Sequence, residues 1–308
     1  MNSTPGEHRL AIDHLTKTYG DRTVVDDLTF AVEPGRVTGF LGPNGSGKST
    51  TMKILLDLAS ADNGSATIGG SRYRDLPSPA DTVGVMLEPN AFHPGRSGRN
   101  HLRIVAQASG YSVAQVDDAL AAVDLGPEPA RRRVGTYSLG MKQRLSLAAA
   151  LLGDPEVLVL DEPANGLDPQ GIHDLRDLLR DRAARGNTVL VSSHLLTELQ
   201  HLVDDVVVIN HGRLVTTGTI DDLTHRRALV RTPDAELLAK HLACTGADIE
   251  PTDDDTLAIA GLELERIGDV AFTAGIALHE LSEDSGSLED VFLSLTTSTD
   301  TDQEVVPS

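Results

Sequence analysis

Gly42-Pro43-Asn44-Gly45-Ser46-Gly47-Lys48-Ser49-Thr50 follows the β-rich run Val37 to Leu41 and opens a helical pattern that runs from Thr50 to Leu58. A strand, a glycine-rich loop and a helix start, in that order, make a cradle for phosphate. Glycines let successive N–H groups turn inward around the oxygens, and the helix N-terminus adds its partial positive charge. In such a cradle Lys48 reaches the β- and γ-phosphates of a nucleotide, and Ser49 offers its hydroxyl to Mg²⁺. The chain holds only five lysines, so one of them completing a Gly-x4-Gly-Lys-Ser pattern is a specific signal.

Downstream, Val157-Leu158-Val159-Leu160-Asp161-Glu162 is an apolar strand ending in two carboxylates. Apolar throughout, it reads as a parallel strand covered on both faces, which delivers its acids to the edge where nucleotide binds. Asp161 is expected in the Mg²⁺ shell, and Glu162 is expected to polarise the attacking water. Two acids at a strand end are weak evidence alone; beside the phosphate loop they become strong.

The rest of the first two thirds of the chain alternates short β-rich runs (Ala31 to Val32, Ala66 to Ile68, Thr188 to Ser192, Val206 to Asn210) with helical patterns (Gly140 to Leu152, Ile172 to Arg185, Leu195 to Leu202). That alternation predicts an α/β fold with a mainly parallel sheet. A domain boundary is expected near Leu223 to Arg227, giving a nucleotide-binding domain over 8–225 and a C-terminal accessory domain over 226–296. The latter reads as strand Leu229 to Arg231, helix Asp234 to Ala243, strand Ala247 to Glu250, an acidic turn at Thr252 to Asp255, strand Thr256 to Ile259, helix Leu262 to Ala274, strand Ile276 to Leu281 and helix Leu288 to Leu295. This order suggests a small ferredoxin-like α+β sandwich. Asp253 to Asp255 lacks EF-hand spacing and reads as a solvated turn, and 297–308, poor in apolar residues, as a disordered tail.

Composition narrows the function. The 308 residues carry 26 Lys+Arg against 46 Asp+Glu, a net of −20, which disfavours binding to nucleic-acid phosphates. From Thr224 onward 18 acids face five basic residues, so that segment alone is −13. The single cysteine, Cys244, makes no internal disulfide and reads as an inert thiol in a reducing compartment. No leader pattern opens the chain, and its apolar stretches fall well short of the ~18 residues a membrane span needs. A membrane process would therefore need membrane segments from another polypeptide.

Between the phosphate loop and the acidic strand lies Tyr137-Ser138-Leu139-Gly140-Met141-Lys142-Gln143-Arg144, and beyond the strand come Pro163, Asn165-Gly166-Leu167-Asp168 and Ser192-Ser193-His194. This ordered set, over roughly residues 8–225, resembles the nucleotide-binding subunit of an ABC transporter. The resemblance implies a P-loop ATPase fold with a helical signature subdomain at about 89–152, ATP and Mg²⁺ as ligands, and a homodimer closed around two nucleotides. By the same resemblance Tyr19 is the aromatic on which adenine stacks, and Gly42, Pro43, Asn44, Gly45, Ser46, Gly47, Lys48, Ser49 and Thr50 hold the phosphates. Ser138 and Gly140 face the γ-phosphate of nucleotide on the other subunit, and Asp168 links the two composite sites. His194 contacts the γ-phosphate and Glu162, so Glu162, His194 and Lys48 form the catalytic set.

Two positions depart from the commonest family pattern. Glu88, in Val85-Met86-Leu87-Glu88-Pro89, stands where most relatives carry a glutamine. A second negative charge ~4 Å from triphosphate costs about 4 kcal/mol at an effective dielectric near 20, an effect Mg²⁺ offsets if Glu88 ligates it directly or through water. Leu139 stands where a glycine is usual, so its backbone must avoid positive φ while its amide survives; altered dimer geometry is expected. These departures and the acidic C-terminal domain resemble the exporter branch that includes bacitracin- and daunorubicin-resistance ATPases. That branch implies efflux of a drug, antibiotic or peptide through a separate permease, with the chain peripheral at the cytoplasmic face of the membrane. Phe92, His93 and Leu102 read either as a groove for a helix of that permease or, for Phe92, as subdomain core. The C-terminal domain reads as a dimerisation or permease-binding element, or as a solubilising cap. Competing readings are a soluble ABC ATPase of translation or DNA repair, against which the single cassette and negative charge stand, and an importer ATPase, which shares every core motif. A GTPase switch lacks its Asn-Lys-x-Asp base-reading motif.

Overall fold

The computed structural model describes residues 8–87, 92–194, 202–220, 226–253 and 255–285. Two compact units divide the chain, Met1–Gly218 and Thr219–Ser308. The division falls ahead of the expected Leu223 to Arg227 boundary because the last strand of the first unit already ends at Thr219.

The first unit opens with a long hairpin, β1 (Leu10–Tyr19) and β2 (Arg22–Val32), longer than the expected β-rich run at Ala31 to Val32. β3 (Val37–Leu41) leads into helix α1 (Lys48–Leu55), and β4 (Asn63–Ile68) returns to pair with β1, making an antiparallel sheet of order β2-β1-β4. After the short α2 (Pro79–Thr82) and β5 (Val83–Met86) comes a run of helices: α3 (Gly98–Ala108), α4 (Val113–Ala122), α5 (Pro127–Arg131) and α6 (Leu139–Ala150). β6 (Val157–Asp161), α7 (Pro169–Ala184), β7 (Thr188–Ser193), β8 (Asp205–Asn210) and β9 (Arg213–Thr219) complete the unit.

Strand order in the main sheet is β5-β6-β7-β3-β8-β9, and the pairs β5/β6, β6/β7, β7/β3 and β3/β8 are parallel. The expected α/β fold with a mainly parallel sheet is thus the observed one. β3, β6 and β7 are buried along their whole length, as strands covered on both faces must be. One core joins the two sheets: Phe40, Val159 and Leu190 from the parallel sheet pack with Leu10, Leu28 and Ile68 from the antiparallel one, and Met52 and Leu55 of α1 belong to the same cluster.

Side-chain caps start α3 and α4. Ser97 Oγ accepts from Asn100 N–H at the head of α3, and Ser112 with Gln115 forms a reciprocal capping box at α4. Each such cap contributes about 1 kcal/mol by satisfying an amide that the helix leaves free. Within the helical run, α6 packs on α3, α4 and β5.

The second unit contains β10 (Arg226–Arg231), α8 (Ala235–Leu242), β11 (Asp248–Asp253), β12 (Thr256–Ala260), α9 (Leu264–Ala274) and β13 (Glu280–Ser285). Its antiparallel sheet has the order β11-β12-β10-β13, and Val230, Leu257 and Ile259 form the core with Leu238 and Leu242 of α8 and Ile267 of α9. This is the split-βαβ arrangement the sequence suggested. The last strand sits later than Ile276 to Leu281: Gly275 ends α9 at φ 72°, and Ile276 turns back to donate its N–H to Ala271 O and bury its side chain. Sheet pairing then begins at His279, whose N–H donates to Arg231 O. The expected helix at Leu288 to Leu295 and the tail at 297–308 lie outside the described residues.

Candidate active site

The loop between β3 and α1 is built around glycine. Gly47 caps α1 at φ 109°, and a Cβ there would stand 2.7 Å from Val24 O. Only a residue without a side chain fits both the backbone angle and the space. The loop is held by Ser46 N–H donating to Pro43 O, Gly212 N–H donating to Ser46 O, and Thr51 Oγ1 donating to Gly47 O. Pro43, Asn44, Gly45 and Ser49 are exposed, Thr50 is half-buried, and Gly42, Ser46, Gly47 and Lys48 are buried. Ser46 Oγ is a buried hydroxyl with no hydrogen-bond partner among the described residues.

Lys48 Nζ folds back over the loop, donating to Gly42 O at 2.6 Å and to Pro43 O at 3.2 Å. Burial pushes its pKa below the usual lysine value, and the nearby Glu162 and Asp161 carboxylates oppose that shift. The cation is thus already in the cradle, resting on carbonyls that a phosphate would replace.

At the end of β6, Asp161 is 8% exposed and its two oxygens are divided. Oδ2 accepts from Ser49 Oγ at 2.7 Å, and Oδ1 accepts from the fully buried Ser192 Oγ of β7. Ser192 Oγ also accepts from Glu162 N–H at 3.0 Å. Glu162 itself takes a left-handed backbone angle, φ 50°, uncommon for a residue with a side chain. Its Oε2 meets His194 Nδ1 at 2.8 Å. Lys48, Ser49, Asp161, Glu162 and His194 therefore stand together at the C-terminal edge of parallel strands β3, β6 and β7, where open α/β sheets bind their ligands. Ser49 and Asp161 offer hard oxygens side by side, a donor set that suits Mg²⁺ shared with phosphate.

A second group sits on α6 and the loop before α7. Ser138 is exposed and caps α6, its Oγ accepting from Met141 N–H at 3.2 Å, and Asp168 caps α7 by accepting from Gly171 N–H at 2.9 Å. A Cβ on Gly140 would stand 3.1 Å from Gly166 O, so helix start and loop are in close contact. Tyr19 closes β1 and is 51% exposed, and Lys17 Nζ lies 5.1 Å from its ring centre while paired with Asp62 at 2.8 Å. Glu88 lies outside the described residues. Phe92 is half-buried and meets His101 edge to face at 4.8 Å, His93 is exposed, and Leu102 is fully buried core rather than groove lining, because α3 turns it inward.

The sequence alone does not mark Gln143 or Ser192 as residues that support Glu162. One signal was available for Gln143: α6 buries Leu145, Leu147 and Ala148, and a glutamine 1% exposed among them must have a partner. That partner is Glu162 O, to which Gln143 Nε2 donates at 2.7 Å.

Residues 25–165 match the ABC transporter family, and residues 226–289 match a domain family of unknown function. The bacitracin transport ATP-binding protein of Enterococcus faecalis is 35% identical over 94% of this chain and 96% of its own length. The lantibiotic transport ATP-binding protein of Streptococcus pyogenes is 38% identical over 69% of this chain and 91% of its own. Among solved structures, an ATP-binding subunit of an ABC transporter superposes with a TM-score of 0.63 at 31% identity, covering 70% of this chain and 91% of that one. The chain belongs to the ATP-binding subunits of ABC transporters, ATPases that couple hydrolysis to transport.

Proposed function

We propose that this chain powers efflux of an antibiotic or peptide through a separate membrane permease. The observation that carries this reading is the near full-length similarity to the bacitracin transport protein, which includes the C-terminal unit. No helix among the described residues is long and apolar enough to cross a membrane. In this reading, which rests on the similarity to transport ATP-binding proteins, the membrane path belongs to a partner and the chain works at the cytoplasmic face of the membrane.

Two copies pair head to tail around two ATP molecules, with adenine stacked on Tyr19 and the phosphates in the 42–50 loop. Ser49 and Asp161 would hold Mg²⁺, with Glu88 as a further ligand directly or through water, and the ion would supply charge neutralisation at the phosphates. Lys48 leaves its carbonyls for the γ-phosphate, while Ser138 and Gly140 of the partner copy close the other side with the positive end of α6. Glu162 orients the water, and His194 holds the Glu162 carboxylate while facing the γ-phosphate. Asp168 links the two composite sites. Closure rearranges the permease, and hydrolysis reopens the dimer.

The test is purification of tagged Glu162→Gln protein from detergent-solubilised host membranes with Mg·ATP. Recovery of a polytopic membrane protein in stoichiometric amount supports the reading. Recovery of ribosomes or repair factors, with no membrane protein, rejects it.

A further inference from the structure

Gln143 lies one turn beyond the start of α6, and its side chain reaches Glu162. The Glu162 carbonyl accepts from Gln143 Nε2 at 2.7 Å and from Asn165 N–H at 3.2 Å, and the Glu162 N–H donates to Ser192 Oγ at 3.0 Å. Both peptide groups flanking a left-handed residue are thus held by side chains from other elements, α6 on one side and β7 on the other. A left-handed backbone at a non-glycine residue persists only where its surroundings over-determine it. Two further contacts bind the head of α6 to the same segment: Leu139 packs over Gly166, and Gly140 approaches Gly166 O.

We propose that Gln143 is a positioning residue for Glu162: its amide, donating to the Glu162 carbonyl, keeps the backbone in the conformation that aims the carboxylate, and so makes α6 and the catalytic carboxylate one mechanical unit. This rests on the dimer reading above. The helix that presents Ser138 and Gly140 to the partner's nucleotide is the helix that seats this copy's own Glu162. Displacement of α6 as the dimer closes is then felt at Glu162 through one hydrogen bond. Gln143 Oε1 is buried with no partner among the described residues, so the amide is held here by its donor side alone, and losing that donor leaves nothing else for it to do.

The experiment compares full-length wild type, Gln143→Met and Gln143→Glu in Mg·ATP binding, kcat, KM and thermal unfolding. Methionine matches glutamine in length and suits the apolar surroundings, so the fold stands while the donor is lost. The expected result for Gln143→Met is Mg·ATP affinity within about twofold of wild type and kcat lowered at least about tenfold, as misplacement of a catalytic group costs. For Gln143→Glu the deficit in kcat relative to wild type is expected to shrink as pH falls towards about 5.5, because a buried carboxyl that takes up its proton donates where the amide did. A purely structural role moves Tm but produces no such pH-dependent rescue. Wild-type kcat in Gln143→Met, or a deficit in Gln143→Glu that stays constant with pH, overturns the proposal. Glu162→Gln separates the two levels. If it abolishes turnover while Gln143→Met does not alter it, only the coupling is wrong; if Glu162→Gln retains turnover, the active-site reading falls and the coupling with it.

Discussion

Ser49 Oγ, in the first turn of α1, donates to Asp161 Oδ2 at the end of β6 across 2.7 Å. The two residues are 112 positions apart, and each reaches the other only because β3 and β6 both neighbour β7 in the parallel sheet. A hydroxyl and a carboxylate preset at this distance need little rearrangement to share a cation. Ser49→Ala and Asp161→Asn are therefore expected to lower Mg²⁺ affinity, measured with ATP bound, on the order of 10–100-fold. Binding of metal-free nucleotide changes much less, since the Lys48 cradle remains; equal loss with and without Mg²⁺ would show that the pair merely supports the loop.

Lys48 supplies the pH dependence. Its folded-state pKa lies below the usual lysine value of 10.5 because burial outweighs Glu162 and Asp161. Between that lowered value and 10.5 the unfolded chain holds the proton and the folded chain does not, so stability rises with pH across this window. Nucleotide affinity moves the other way, falling as the ammonium is lost. Calorimetric titration with Mg·ATP at increasing alkaline pH is expected to show the decline beginning earlier than for an ordinary lysine. Lys48→Ala weakens binding by about 10–100-fold at neutral pH, the worth of a hydrogen bond to a charged group.

His194 Nδ1 and Glu162 Oε2 are 2.8 Å apart, a distance at which the ring fixes the carboxylate's rotamer. Glu162→Gln is expected to lower kcat by about 10²–10⁴-fold, the range for loss of a positioned acid–base group. Nucleotide affinity is kept, and closed dimers accumulate in Mg·ATP on size exclusion. His194→Ala lowers kcat with little change in binding. A monomeric Glu162→Gln protein in saturating Mg·ATP would reject the composite-site mechanism.

The phosphate loop and the parallel sheet are legible from local patterns, since β6 is apolar up to Asp161, β3 and β7 are short β-rich runs, and the loop signal is short in sequence. The β1–β2 hairpin was hidden by its own irregularity. Register shifts separate Ile12 from Leu15 and Leu15 from Lys17, and His14 and Asp27 take positive φ at 47° and 51°. Each irregularity resets the two-residue alternation by which a strand is read. The clamp on Glu162 was hidden for a different reason: Gln143 and Ser192 meet it from 19 and 30 residues away. No local period encodes such contacts; they exist only once α6 and β7 have packed against the end of β6.

Leu139, where the family usually places glycine, has a visible counterpart in Gly166. A Cβ on Gly166 would stand 2.3 Å from Leu139 Cδ2 and 2.6 Å from its Cγ, and Gly166 also takes φ 78°. Because the branch carbon is involved as well as a methyl tip, rotation of the Leu139 end alone does not open the space. Gly166→Ala is therefore expected to destabilise the protein by about 1–3 kcal/mol through overpacking, with about 1–2 kcal/mol more from the left-handed backbone. In a Leu139→Gly background the packing part disappears and the backbone part remains. A double-mutant cycle by denaturant unfolding should give a coupling of at least about 0.5 kcal/mol. Additive effects would mean that Leu139 swings off Gly166 without cost. In that case the leucine does not brace the loop that leads to Asp168, and the altered dimer geometry expected from this substitution would have to arise from its side chain meeting the partner.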